Sequence, residues 1–153
     1  MSEPKTIRLP KKTDLNLIYS SWLHSYRESP DNPISGDAFF SYHKLVLLNL
    51  LKTEGVLLSI LCNPDDLEQI YGWVCYEFSQ DSIILHWIHV KYSFRRLGFA
   101  RFLMENVIKL AESKGIFNPV ITITGRGLQY KQLRDKIKHI YKPKLLFKLL
   151  EIV

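Results

Sequence analysis

Cysteine and long apolar runs are scarce in this sequence, and each shortage excludes a class of protein. Cys62 and Cys75 are the only cysteines among 153 residues, too few for a disulfide framework. Both lie inside apolar runs, where a thiol acts as a small hydrophobe and a reducing compartment suits it. No Cys/His cluster has metal-ligand spacing, so no metal is expected. No apolar run approaches the roughly 20 residues that span a bilayer. The opening "MSEPKTIRLPKKTD" is basic with no apolar core behind it, unlike a secretory signal. A cytoplasmic chain without a membrane partner is the expectation, monomeric or homodimeric. Its length suits one domain with a real core, spanning 1–153.

Acidic residues are also scarce in one place. Residues 1–125 carry 13 Lys/Arg and 13 Asp/Glu, which cancel. Segment 126–148 carries eight Lys/Arg against Asp135 alone, and with Glu151 this accounts for the net charge of +6. The excess therefore sits in one stretch, which favours an anionic partner at 126–148.

Periodicity supplies the elements. "KTIRLP" is extended and ends at Pro10. Thr13 can cap a helix running to about Glu28, with Leu15, Ile18, Tyr19, Trp22 and Tyr26 on one face. Turn residues fill 29–37, and a second helix follows from Phe39 to Thr53. "GVLLSILC", "QIYGWVCYEF" and "DSIILHWIHV" read as strands, the last two joined by a hairpin at Ser79-Gln80-Asp81. A helix is expected from about Leu97 to Ser113, stopped by Gly115, then the strand "PVITIT". A basic helix around 128–139 and a strand or strand pair in "YKPKLLFKLLEIV" complete the order β-α-α-β-β-β-α-β-α-β, a mixed sheet of the α+β class.

The junction "HVKYSFRRLGFARFL" (89–103) puts Arg95, Arg96 and Arg101 around Gly98, between a strand end and a helix start. The first N–H groups of a helix lack partners and carry the positive end of its dipole, and a glycine there lets backbone approach a phosphate. A plain turn with solvated arginines is the alternative. The stretch "VKYSFRRLGFA" resembles motif A of the GNAT N-acetyltransferase superfamily, V-x-P-x-[YF]-[RQ]-x-x-G-x-[GA]. Val90, Phe94, Arg95, Gly98 and Ala100 fall on its positions, and Tyr92 stands where the family has proline. The element order is also similar to that family's over essentially the whole chain. "IYSSWLHSYR", "IYGWVCYE" and "LHWIHVKYSFRRLGFA" together resemble the small GNAT-like proteins of tailed phages, which would place the chain in a host cytoplasm.

The resemblance implies a GNAT-like acyl-CoA N-acyltransferase fold and acetyl-CoA as co-substrate. It implies that backbone at Arg95, Arg96, Leu97, Gly98, Phe99, Ala100 and Arg101 wraps the pyrophosphate. The strand end at Ile88, His89 and Val90 would run beside the pantetheine arm. An amine acceptor pocket would draw on Trp22, Ser25, Tyr26, the loop 29–37, Tyr42, Tyr71 and Trp73. Core packing is the competing role for the aromatics of the first helix.

Acetyl transfer to an amine needs a base and a proton for the leaving thiolate. The family's frequent glutamate falls at Ile84 here. Strand alternation predicts Ile84, His86 and Ile88 on one face and Leu85, Trp87 and His89 on the other. His86 is therefore a candidate base, with Glu77 on the preceding strand a second. The alternative for His86 is a histidine held by structural hydrogen bonds. The family's usual tyrosine acid is missing, Tyr130 lying too early and Tyr141 too late, and Thr124-Gly125 replace a frequent asparagine. Three functions follow: an acetyl-CoA-dependent N-acetyltransferase acting on a primary amine, a silent GNAT-like module binding a macromolecular partner, and a nucleic-acid binder acting through 126–148. The last lacks the interleaved aromatics of a stacking surface.

Overall fold

In a computed structural model of the chain, residues 4–27, 37–124 and 139–141 are described, with side chains for 4–25, 44–124 and 140. The elements are β1 (Thr6–Arg8), α1 (Leu15–Arg27), α2 (Asp37–Lys52), β2 (Leu57–Asn63), β3 (Asp66–Ser79), β4 (Ser82–Val90), α3 (Phe99–Ser113), β5 (Val120–Ile123) and β6 (His139–Tyr141). They form a sheet in the order β1-β2-β3-β4-β5-β6. The first four strands are antiparallel, and β4, β5 and β6 run parallel. The parallel step from β4 to β5 needs a crossover, which α3 supplies.

Alternating strands give the sheet two apolar faces, and each takes its own helices. On one face Val74, Tyr76, Ile83, Leu85 and Val90 pack against Phe99, Leu103, Met104, Val107 and Ala111 of α3. Those α3 positions recur at helical spacing, so one stripe of the helix is buried. On the other face Ile60, Trp73, Cys75 and Trp87 meet Ile18, Trp22 and Leu23 of α1 and Val46, Leu47 and Leu50 of α2. The mixed α+β sheet expected from the sequence is the one observed.

Local chemistry explains the boundaries that moved. The first helix is entered through a 3-10 turn at Lys12–Asp14, and Thr13 is not its cap. Asp14 wins because its carboxylate accepts the Lys11 N–H at 2.6 Å and both guanidinium nitrogens of Arg8 at 2.7 and 3.0 Å. The bonds from Arg8 hold its carboxyl below the ordinary aspartate range. The hairpin is tighter than expected: Ser79 pairs with Ser82 around Gln80-Asp81, Gln80 taking a φ of 48°. His139, the last position of the basic helix expected over 128–139, belongs instead to β6 and pairs with Ile121. The remainder of that helix and the segment after Tyr141 lie outside the described residues, as do loop 29–36 and the basic positions 126–138 and 142–148.

Two ladder irregularities change which way side chains point. Between β2 and β3, Leu61 pairs with Gly72 and Cys62 with Ile70, leaving Tyr71 as an extra residue. Between β3 and β4, Cys75 pairs with Trp87 and Tyr76 with Leu85, leaving His86 extra. An unopposed residue shifts the two-residue alternation by one. Ile88 therefore joins Leu85 on the α3 face and not Ile84 and His86 as expected, while Trp87 faces α1 and α2. Tyr71 and Trp73, two residues apart, likewise end on opposite faces.

Gly72 sits where β3 presses on the end of β4. A Cβ built there would clash with the His89 carbonyl oxygen and lie 3.1 Å from Val90 Cα. Both obstacles are backbone and cannot rotate away. Gly72→Ala should cost about 1–3 kcal/mol of stability, read as a lower urea midpoint at unchanged slope; a midpoint equal to the parent's would show that the strands part freely.

Candidate active site

The site begins where β4 leaves β5. Their ladder runs from Ser82–Val120 to Leu85–Ile123, and the Thr124 N–H donates to the Leu85 carbonyl at 3.0 Å. β4 continues to Val90, so its last five residues pass beyond the β5 ladder. His86, the extra residue, stands at the fork. Its carbonyl accepts from the Thr124 hydroxyl at 3.3 Å. That uses the hydroxyl's only hydrogen, so Thr124 Oγ1 accepts from His86 Nδ1–H at 2.9 Å. His86 Nε2 lies 2.8 Å from Glu77 Oε2.

Glu77 is also the cross-strand partner of Ile84. A carboxylate is therefore present one strand away from the position where the resemblance called for one. His86 is wholly buried, whereas the Glu77 side chain keeps 11% exposure. Glu77 is thus the member of the pair with an outlet. Its charge and, above all, burial push the neighbouring Cys75 thiol well above the usual range, so that cysteine stays protonated.

Past Val90 the chain makes the arginine–glycine turn. Tyr92–Phe94 form a 3-10 turn, Arg96 takes a φ of 66°, Gly98 a φ of 79°, and α3 starts at Phe99. A left-handed arginine costs of order 1 kcal/mol or more, which the surrounding anchors offset. Arg95 Nε donates to the Val90 carbonyl at 2.8 Å, and the Lys91 N–H donates to the Tyr71 carbonyl at 2.8 Å. Phe99 stacks on Tyr71 with centroids 4.9 Å apart, and Phe94 meets the same ring at 4.6 Å. A Cβ at Gly98 would meet nothing within 4 Å, so the turn faces open space. Positive φ values flanking a helix start turn successive N–H groups outward, the arrangement that binds anions. Arg96, Leu97 and Gly98 are exposed, and Arg101 Nε donates to Glu105 Oε1 at 3.0 Å.

The α1 side of the same strand end is aromatic. Trp22 lies 5.2 Å from Trp73 and 6.1 Å from Trp87 between ring centroids. Trp73 Nε1 donates to Ser21 Oγ at 2.9 Å, and its ring lies 6.0 Å from His89. Ser25 Oγ of α1 lies 3.2 Å from His89 Nδ1. Burial, with the charges of Arg95 and Lys91, holds the His89 imidazole down to about 4, so it is neutral at pH 7.

The residues expected at the site are thus distributed unevenly. Ile88 to Val90 and Arg95 to Arg101 do form one continuous strand end and turn. His86 and Glu77 are joined, and Trp22, Ser25 and Trp73 cluster on the α1 side. Tyr71 instead lies beneath the turn, on the α3 face, because of its bulge. Tyr26 and Tyr42 belong to α1 and α2, but their side chains lie outside those described. Sequence reasoning missed Thr124 as the partner of His86, and Ser25 as the partner of His89. Separations of 38 and 64 residues leave no local signal for either pair.

The model of the acetyltransferase (GNAT) family matches residues 17–127. The chain belongs to the GNAT family. Among solved structures this GNAT chain is similar to the PaiA N-acetyltransferase from Thermoplasma acidophilum in complex with coenzyme A, at 14% identity and a TM-score of 0.61 over 89% of this chain and 88% of that one. It is similar to the ribosomal-protein-alanine N-acetyltransferase from Brucella melitensis biovar Abortus 2308, at 18% identity and a TM-score of 0.61, covering 88% and 91%. It also resembles the aminoglycoside N-acetyltransferase AAC(6')-Iy in complex with CoA, at 17% identity and a TM-score of 0.55 over 88% and 86%. At such identities these likenesses show the fold. A comparison with curated protein sequences finds no match. Among the described residues of this GNAT protein no group of acidic, His or Cys side chains is placed to hold a metal, and no helix is long and apolar enough to cross a membrane.

His89 gives the fold a pH dependence. A histidine lowered from 6.5 to about 4 on folding binds protons more readily in the unfolded chain over that interval. Its contribution is complete above pH 6.5 and is lost as pH falls toward 4. Replacing it should flatten that slope: His89→Gln should lose less of its urea midpoint between pH 6.5 and 4.5 than the parent. Equal losses in the two proteins would refute the assignment.

Proposed function

We propose that this protein is an acetyl-CoA-dependent N-acetyltransferase that acts on a primary amine. The observation that carries the reading is the single path from the end of β4 into the Arg95–Gly98 turn at the start of α3. The donor set fits the co-substrate. The left-handed backbone at Arg96 and Gly98, open space over Gly98 and the guanidinium groups of Arg96 and Arg101 suit a pyrophosphate. The stretch of β4 beyond its pairing with β5 suits the amides of a pantetheine arm. The resemblance of motif A, and coenzyme A in the related complexes, support the same assignment.

When bound, acetyl-CoA supplies the acetyl group as a thioester. The chain's own groups bind it, exclude water and accept a proton. The amine nitrogen bonds to the thioester carbon, the carbon–sulfur bond breaks, and the nitrogen's proton must leave. Glu77, exposed at one edge and bonded to His86, takes that proton, and His86 holds the carboxylate in place from behind. Thr124 sets which imidazole nitrogen faces Glu77. Trp22, Ser25 and Trp73 mark the α1 side as the acceptor side. The basic segment 126–138 would flank the nucleotide end.

Calorimetric titration with acetyl-CoA should give a micromolar Kd. Gly98→Glu should weaken it at least tenfold, since the new side chain adds bulk and negative charge where φ is 79°. A folded Gly98→Glu protein with unchanged affinity would remove the turn from the cofactor site. Once an acceptor is in hand, Glu77→Gln should lower kcat by 10²-fold or more, as expected for loss of a general base, with acetyl-CoA affinity unchanged.

A further inference from the structure

Lys5, just before β1, brings a cation to the start of α3, and the role argued for it rests on the acetyltransferase reading above. Ile7 pairs with Leu61, Leu61 with Gly72 and Gly72 with Val90, one row that crosses the sheet from β1 to the end of β4. β1 and β4 run in opposite directions across that row. Residues before Ile7 therefore leave the sheet at the same end as the residues after Val90, which make the arginine–glycine turn. Ile7 packs on the α3 face, and Lys5, two positions earlier, shares it. Its Nζ lies 5.1 Å from the ring centroid of Phe102 and 5.8 Å from that of Phe99. Both rings belong to the first turn of α3.

That ammonium is held in place but not neutralised. An aromatic face attracts a cation without cancelling its charge, and among the described residues no carboxylate pairs with Lys5. Its surroundings carry the same sign. The first turn of α3 has no acidic residue and holds the positive end of the helix dipole. The Phe102 N–H is the first in the helix to reach back, to the Gly98 carbonyl at 3.0 Å. The N–H groups of Phe99, Ala100 and Arg101 therefore have no intrahelical partner. Arg96, exposed, precedes them in the turn. Like charges gathered at a helix start are unfavourable, and an anion seated there relieves them together. An ammonium can turn up to three N–H donors toward such a ligand.

We propose that Lys5 is a ligand of the pyrophosphate of acetyl-CoA. Phe99 and Phe102 hold its ammonium against the first turn of α3, and it closes the phosphate site from the β1 side. The segment leading into β1 is then part of the cofactor site, although Lys5 and Gly98 stand far apart in the chain.

The test is calorimetric titration of the full chain with acetyl-CoA and, in parallel, with acetyl-dephospho-CoA, which keeps the pyrophosphate and lacks the 3′-phosphate. Lys5→Met keeps an unbranched stem over the two rings and removes the charge. It should weaken both ligands about fivefold or more, as expected for loss of a charge-assisted hydrogen bond. Lys5→Gln, a second neutral variant, should show the same loss. Lys109→Met removes one charge from an exposed position further along the same helix, and should leave both affinities within about twofold of the parent. Parent-like binding of acetyl-CoA by either folded Lys5 variant would overturn the proposal. Equal losses in Lys5→Met and Lys109→Met would also overturn it, reducing Lys5 to a share of the overall charge. A loss seen with acetyl-CoA but not with acetyl-dephospho-CoA would do the same, moving Lys5 to the 3′-phosphate. Each of these outcomes leaves the turn at Gly98 standing as the cofactor site. Failure of the parent to bind acetyl-CoA at all would overturn the acetyltransferase reading, and this inference with it.

Discussion

A ladder of paired strands can carry one extra residue only if that residue's backbone and side chain find partners elsewhere. In the β3–β4 ladder the residue is His86, and side chains of the candidate active site hold it. Thr124 takes its carbonyl and faces its Nδ1, and Glu77 takes its Nε2. The same irregularity sets which residues beyond the fork face which helix. Were His86 instead drawn into a regular ladder, strict alternation would turn Trp87 and His89 toward α3 and Ile88 toward α1, dismantling both sides of the strand end.

The two faces of the sheet divide the work. The α3 face holds the turn: Tyr71, itself a bulge residue, accepts the Lys91 N–H on its carbonyl and stacks with Phe94 and Phe99. Aromatic pairs of this kind add about 0.5–1.5 kcal/mol each beyond burial, enough to offset a left-handed arginine at position 96. The α1 face holds the tryptophans and the Ser25–His89 bond. Gly72 joins the faces, since its missing side chain lets β3 approach the backbone of His89 and Val90. The turn and the α1 side of the strand end are therefore coupled through backbone contacts that no side-chain rotation can relax.

Much of this was legible in order of residues. The helical stripe of α3, the turn at Gly98 and the hairpin at Gln80-Asp81 depend on neighbours a few positions apart, so local spacing carries them. Thr13 misled as a cap because the competitor, Asp14, draws its advantage from Arg8 on a different element. Alternation along β4 held as far as His86 and then inverted, because a bulge is a property of two strands read together and one strand's sequence does not display it.

Composition, periodicity and motif spacing by themselves determined the element order, the mixed sheet and the arginine–glycine turn, because each arises from interactions within a helix, a strand or a junction. Tertiary structure alone decided that Glu77 stands beside His86, that Tyr71 supports the turn from the far face, and that Ser25 holds His89. These pairings join residues on different strands and helices, and their geometry exists only after two ladder bulges have set the phase of the sheet.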